Sequence, residues 1–194
     1  MINLLILGSS GFIGCNLSGL LSQSSQFKVF ELDKSEVDLT DSNASDFLSA
    51  FIKSKFIDCI IILSAIKRQD GDSSDLLDLN NCISRNICNA ISMVGSQLRV
   101  IYMSSLAVFG EKNDQALFID SSPISPTSFY GEHKVFSESL YSKFVPRESL
   151  LILRPPLVYT HFDKSSSYTP CGFYNAAVNN KNLTLWGDGS ELRE

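Results

Sequence analysis

Histidine is almost missing from this chain: 194 residues hold two, His133 and His161. Neither stands in an acid or cysteine cluster, so no metal site is expected. A basic surplus is also lacking. Sixteen Lys and Arg face 21 Asp and Glu, a net charge of −5, which excludes general affinity for nucleic acid or anionic membranes. No hydrophobic run is long. The longest, residues 57–66, already contains Asp58, Cys59 and Ser64 and falls far short of the roughly 20 residues of a membrane span. The first seven residues are short, uncharged and followed at once by a glycine turn, unlike a secretory signal. Cysteine offers no framework either: Cys15, Cys59, Cys82, Cys88 and Cys171 are odd in number and lack metal-type spacing, which suits free thiols in a reducing compartment. A cytoplasmic protein is expected. What remains is 44% apolar and 19% charged, a globular composition.

The apolar residues cluster in short runs between helical stretches. Apolar runs at residues 2–7 (INLLIL), 29–32, 59–63, 100–103 and 150–153 read as strands. Residues 12–21, 46–52, 75–94 and 129–141 carry apolar positions at helical spacing. Pro155-Pro156 stops the last strand, and the Ser/Thr/Tyr-rich residues 161–169 read as a loop. Alternating strands and helices imply right-handed crossovers and a parallel sheet covered on both faces. The reading is a doubly wound α/β domain of the Rossmann type over residues 1–160. Residues 161–194 would then begin a small substrate-binding region, with a strand at 183–186 and a turn at 187–189. A chain ending one step past a turn is expected to continue.

Gly8, Gly11 and Gly14 follow the first strand and open the first helix. Gly8 permits the tight turn, Gly11 lets backbone approach a pyrophosphate, and Gly14 allows helix and sheet to pack closely. The first-turn N–H groups, with the helix dipole behind them, suit an anion. Asp33, 19 residues after Gly14, can accept both ribose hydroxyls of NAD and would repel the 2′-phosphate of NADP. Lys34 next to it weakens that discrimination, so NADP stays possible. Asp38-Leu39 is placed to meet adenine, and a plain turn acid accounts for Asp38 nearly as well.

Tyr130 and Lys134 stand four apart on a helix, hence on one face. A tyrosine titrating near 10 is a poor base at neutral pH, and a neighbouring ammonium favours its phenolate. Such a pair can take a proton from a sugar hydroxyl. Ser105, at the end of the fourth strand where parallel sheets place their chemistry, can hydrogen-bond the reacting oxygen. His133 reads as a solvated neighbour of this face.

Together the segments GSSGFIG at Gly8, LDKSEVDLTD at Leu32, SSLAVFG at Ser104, SPTSFYGEHK at Ser125, LRPPLVY at Leu153 and LWGDGSELRE at Leu185 resemble the extended short-chain dehydrogenase/reductase family, in its NAD-dependent epimerase/dehydratase branch. The resemblance implies a catalytic Ser105, Tyr130 and Lys134. It implies cofactor contacts from Gly8, Ser10, Gly11, Phe12, Ile13, Gly14, Asp33, Lys34, Asp38 and Leu39. Further contacts would come from Leu63, Ser64, Ala65, Lys67, Asn80, Tyr130 and Lys134, with Pro155 and Val158 passing the nicotinamide. Ser105, Ala107 and Arg193 would meet a nucleotide-sugar substrate, Arg193 at its diphosphate. Relatives often pair through a four-helix interface, which here would use the helices of Asn80 and Tyr130 in a homodimer. Two positions depart from the family. Its 4,6-dehydratases carry an Asp-Glu pair where this chain has Leu106 and Ala107, which leaves elimination of water unsupported. Thr160 stands where glycine is usual. The expected function is a nucleotide-sugar epimerase with bound NAD. An NAD(P)H-dependent keto-sugar reductase and a non-catalytic NAD(P)-sensing protein are the alternatives.

Overall fold

The buried runs pair side by side. A computed structural model describes residues 1–67, 71–95, 97–110, 118–159 and 171–183. In it β1 (Ile2–Leu7), β2 (Phe27–Leu32), β3 (Cys59–Ile62), β4 (Arg99–Met103) and β5 (Leu150–Leu153) form one sheet in the order β2-β1-β3-β4-β5. Every pairing is parallel. The intervening helices are α1 (Phe12–Leu21), α2 (Ala44–Ser54), α3 (Ser74–Val94) and α4 (Phe129–Phe144), followed by α5 (Cys171–Val178). A 3-10 turn, Leu106–Phe109, follows β4 directly.

Side chains of a strand alternate between the two faces, and the core divides accordingly. Leu5, Leu7, Ile60, Ile62, Val100 and Tyr102 pack with Leu48, Ile52, Ile87, Ile91 and Tyr141 of α2, α3 and α4. Leu4, Cys59 and Ile61 pack on the other face with Leu17 and Leu21 of α1. This is the doubly wound Rossmann arrangement, with helices on both faces.

The register positions the site. Leu32, Leu7, Ile62, Tyr102 and Ile152 lie in one row across the sheet, so Asp33, Gly8, Leu63, Met103 and Leu153 leave it along one carboxyl edge. The chain turns from β1 to β2 on one side and returns to β3 on the other. The crevice at that reversal, between the ends of β1 and β3, is where open α/β sheets bind ligands.

Several bounds differ from the sequence reading. β2 begins two residues earlier, at Phe27, where its half-exposed edge position blurs the apolar run. α2 and α4 each gain a turn or less at their ends. The 3-10 turn and α5 were not anticipated, because neither has a long periodic pattern. The loop at 161–169, most of the strand at 183–186 and the turn at 187–189 lie outside the described residues. Among the described residues, no helix is long and apolar enough to cross a membrane, and no group of three His, Cys, Asp or Glu could hold a metal ion. None of the five cysteines forms a disulfide. Burial pushes Cys88 up to about 11 and raises Cys59, so both stay protonated at neutral pH.

Candidate functional site

At the first corner, Gly8 has φ +87 and a side chain there would meet the backbone of Ser64 at 3.0 Å, so β1 and β3 close on each other without side chains between them. A Cβ on Gly14 would stand 2.2 Å from the Gly8 carbonyl oxygen and 2.8 Å from Ser9 Cα. Gly11, by contrast, would meet only that carbonyl, at 3.2 Å. The first helical turn of α1 therefore sits directly on the glycine turn. Its N-terminus has no side-chain cap and no acidic residue. α3 and α4 differ: Ser73 and Ser128 cap them, and Asp75 and Glu132 lie in their first turns. The N–H groups of Phe12 and Ile13 thus open α1 with its dipole uncompensated.

Asp33 leaves the edge of the sheet beside this turn. Ser35 donates to its Oδ1 from the backbone at 2.8 Å and from the hydroxyl at 2.6 Å. These bonds, with a further one from Ser10, hold its carboxyl below the usual range. Asp33 is a half-buried anion next to the phosphate-type loop, the arrangement that accepts a diol. Lys34 Nζ lies 3.2 Å from Asp38 Oδ2, on an exposed side chain. Asp38 also accepts from Thr40 N and Oγ1 at 3.0 and 2.7 Å, which lowers its pKa. Leu39 sends its side chain into the core, leaving only its backbone to a ligand. Asn86 of α3 fixes this stretch, donating to the Leu39 and Asp41 carbonyls at 2.9 and 3.0 Å.

The second cluster gathers at the ends of β4 and β5. Ser105 is extended and its Oγ accepts from Ala107 N at 3.2 Å, opening the 3-10 turn. α4 lies against that turn because Gly131 has no side chain: a Cβ there would be 2.5 Å from the Ala107 carbonyl oxygen. Tyr130, half-buried, and Lys134, 3% exposed, are thereby carried to the Ser105 turn. Lys134 Nζ donates to the Met103 carbonyl at 2.8 Å and lies 4.9 Å from the Tyr102 ring centre and 5.4 Å from that of Tyr130. Burial pushes its ammonium down to about 7, against the pull of Glu138. An amine at this pKa holds a proton part of the time at neutral pH, beside a phenol that can lose one.

Asn80 and Lys67 fall nearby but differently from one another. Asn80 is buried, accepts from Ile66 N at 2.8 Å and donates to Ile66 O at 3.2 Å, so it pins the chain after β3. With Ile66, Asp72 and Tyr130 it lines one small cavity. Lys67 is exposed, as is Val158, while Pro155 is half-buried and its carbonyl accepts from Leu106 N at 3.2 Å. Arg193 and Thr160 lie outside the described residues.

One expectation is overturned. His133 is 1% exposed, not solvated. It lies on α4 beside Ser137 of the same helix, whose Oγ is 3.2 Å from Nδ1 and 2.7 Å from Ser84 Oγ of α3. Burial, with Lys134 adjacent, lowers its pKa to about 3, so the ring stays neutral.

Sequence reasoning missed the residues that assemble the site without touching it. Gly131 carries a readable signal, a glycine inside a helix beside a reactive residue. Gly110, at φ +79, lets the chain return so closely that a Cβ would stand 2.2 Å from Ser125 O. Asp72 accepts from Tyr130 N at 3.0 Å, a contact across 58 residues that no local pattern announces.

A family model described as the NAD-dependent epimerase/dehydratase family matches residues 4–194. A search among curated proteins finds no matching sequence. Solved structures give the fold. The dTDP-glucose 4,6-dehydratase of Bacillus anthracis, in complex with NAD, superimposes with a TM-score of 0.81 at 19% identity, over 97% of this chain and 65% of that one. The UDP-glucuronic acid 4-epimerase of Bacillus cereus, with UDP-glucuronic acid and NAD, gives 0.79 at 22%, over 97% and 67%. A dTDP-4-dehydrorhamnose reductase ortholog from Clostridium acetobutylicum gives 0.72 at 17%, over 92% and 60%. The chain thus spans about two thirds of the length of these structures.

Proposed function

The chain belongs to the NAD-dependent epimerase/dehydratase family, and from that premise we propose that it holds NAD on the uncapped start of α1 and, within the whole protein, epimerises a nucleotide sugar. The observation that carries the reading is the meeting of Tyr130, Lys134 and Ser105 on one carboxyl edge, with the Gly131 gap pressing α4 onto the Ser105 turn. Asp33 supports NAD over NADP, since Lys34 is engaged with Asp38 and leaves the Asp33 carboxylate facing the ribose position.

NAD, when bound, supplies a hydride acceptor and, once reduced, the hydride donor. The chain does the rest. Phe12 and Ile13 offer N–H groups to the pyrophosphate, and Asp33 accepts the ribose hydroxyls. Ser105 donates its hydrogen bond to the reacting sugar oxygen. Tyr130, as phenolate, takes the hydroxyl proton while the carbon loses hydride, leaving a ketone. Lys134 stabilises that phenolate when charged. Tyr130 would return the proton to the sugar oxygen when the ketone is reduced again by the same bound cofactor, so atoms and electrons would balance without net cofactor use. Leu106 and Ala107 offer no acid or base for loss of water, which favours epimerisation over dehydration.

The test is proton NMR of the full-length enzyme with NAD and a panel of nucleotide hexoses. The expected result is a second sugar epimer with no net rise at 340 nm, and a loss of about a hundredfold or more in rate on Tyr130→Phe. Every hexose unchanged would sink the proposal. Stoichiometric consumption of NADH or NADPH with a 4-keto sugar would make the protein a reductase.

A further inference from the structure

Glu138 lies one turn beyond Lys134 on α4, and its side chain is 7% exposed. Its carboxylate gathers groups from two strand ends. Ser104 donates its hydroxyl to Oε1. Arg154 donates Nε to Oε1 at 2.9 Å and Nη2 to Oε2 at 2.7 Å, the two-pronged geometry that fixes orientation as well as distance. The Arg154 guanidinium also lies 5.2 Å from the ring centre of Phe109, the last residue of the 3-10 turn. Ser104 N donates to Leu153 O at 2.7 Å, and Leu106 N to Pro155 O at 3.2 Å, so the backbones of the two strand ends run together past Ser105.

Stability alone gives little reason for this arrangement, because a buried ion pair is roughly neutral against apolar side chains of the same volume. Location gives a better one. Ser105 follows Ser104, and Tyr130 and Lys134 occupy the preceding turns of the helix that carries Glu138. We infer that Glu138 is a positioning residue, its single carboxylate setting the Ser105 turn against the Tyr130–Lys134 helix and setting the charge environment of the Lys134 amine. This rests on the roles proposed above for Ser105, Tyr130 and Lys134.

Among the described residues, the amine's neighbours come from three elements. On α4 it faces Tyr130, the neutral His133 and Glu138; on β4 it faces the Met103 carbonyl and the Tyr102 ring. From the end of β5, Arg154 pairs with Glu138 and also feels the Asp120 carboxylate. On α3, Ser84 and Cys88 lie further along, beside Ser137 and Tyr141. Burial drives the proton off Lys134 and Glu138 holds it on.

The experiment is a pH titration of the ligand-free full-length protein with carbon-13 lysine, the Lys134 signal being the one lost in Lys134→Arg. The Ser105 amide is followed in the same samples by nitrogen-15 spectra. In Glu138→Gln the Lys134 midpoint should fall by about half a unit to one unit and the Ser105 amide should shift, with Glu138→Asp recovering part of both. If the orphaned Arg154 unfolds the single variant, Glu138→Gln with Arg154→Gln removes both charges and carries the same expectation. A folded variant in which either signal stays at its wild-type position overturns the inference. No cofactor or sugar enters the measurement, so a protein that binds no NAD would refute the functional reading and leave this result standing on its own.

Discussion

Gly14 and Gly19 lie on the same helix and answer the same substitution in opposite ways. Alanine at either should gain about 0.5–1 kcal/mol of helix propensity. At Gly19 an added Cβ meets nothing within 4 Å, so the gain is realised. At Gly14 the Cβ would stand 2.2 Å from Gly8 O, 2.8 Å from Ser9 Cα and 2.9 Å from Ser9 O. The first distance is more than about 1 Å inside an ordinary contact. All three atoms are backbone, so no rotamer change relieves them, and α1 must retreat from the glycine turn. Overpacking of this kind costs about 1–3 kcal/mol, and since the propensity gain is common to both, Gly14→Ala should lie about 1–3 kcal/mol below Gly19→Ala. At roughly 2–4 °C per kcal/mol for a chain of this size, their melting temperatures should differ by about 2–12 °C. The retreat also carries the N–H groups of Phe12 and Ile13 away from any bound phosphate. Losing one or two charge-assisted hydrogen bonds should weaken NAD by about 10–100-fold, read by calorimetry on the 194-residue chain, while Gly19→Ala keeps wild-type affinity. A Gly14→Ala protein that melts with Gly19→Ala and binds NAD like wild type would refute both the packing argument and the assignment of this turn.

Two further outcomes follow from the same geometry. Gly131→Ala places a Cβ 2.5 Å from Ala107 O, so α4 should move about 1 Å from the Ser105 turn, lowering turnover of the full-length enzyme by about a hundredfold with NAD affinity within a few-fold of wild type; unchanged turnover argues against the contact. His133, lowered to about 3 by burial, stays neutral in the fold but takes a proton in the unfolded chain below about 6.5. The unfolded state therefore binds more protons between those values, and stability falls as pH falls, by about 2 kcal/mol from this group at pH 5. In urea titrations at pH 7 and 5, His133→Gln should lose correspondingly less than wild type, and equal losses would show that the ring is not buried neutral.

The strands and helices were legible where burial is complete or periodicity sustained. β1 and α1 appear with their observed bounds, because an unbroken apolar run meets a glycine turn at Gly8. α5 was not legible: eight residues with no strong apolar face resemble a loop. The candidate site residues could be named because Tyr130 and Lys134 are neighbours by helical spacing and Ser105 follows a strand. Glu138 and Arg154 could not, since each looks like an ordinary surface charge until β5 is laid beside β4. His133 failed for the same reason. Its sequence neighbours are polar, and only the crossing of α3 over α4 shows that it is enclosed.

The bare start of α1 has a consequence beyond recognition. Its first turn is unfinished in the chain alone, and whatever anion completes it binds the folded form and not the unfolded one. A dinucleotide at a hundred times its dissociation constant would add about 2.7 kcal/mol to the folded state, a sizeable part of the margin that keeps a domain native. On the proposed reading, this helix end makes the lifetime of the protein in a cell depend on the size of the dinucleotide pool: when the pool falls, more molecules unfold within reach of proteases, and the amount of enzyme follows its coenzyme down.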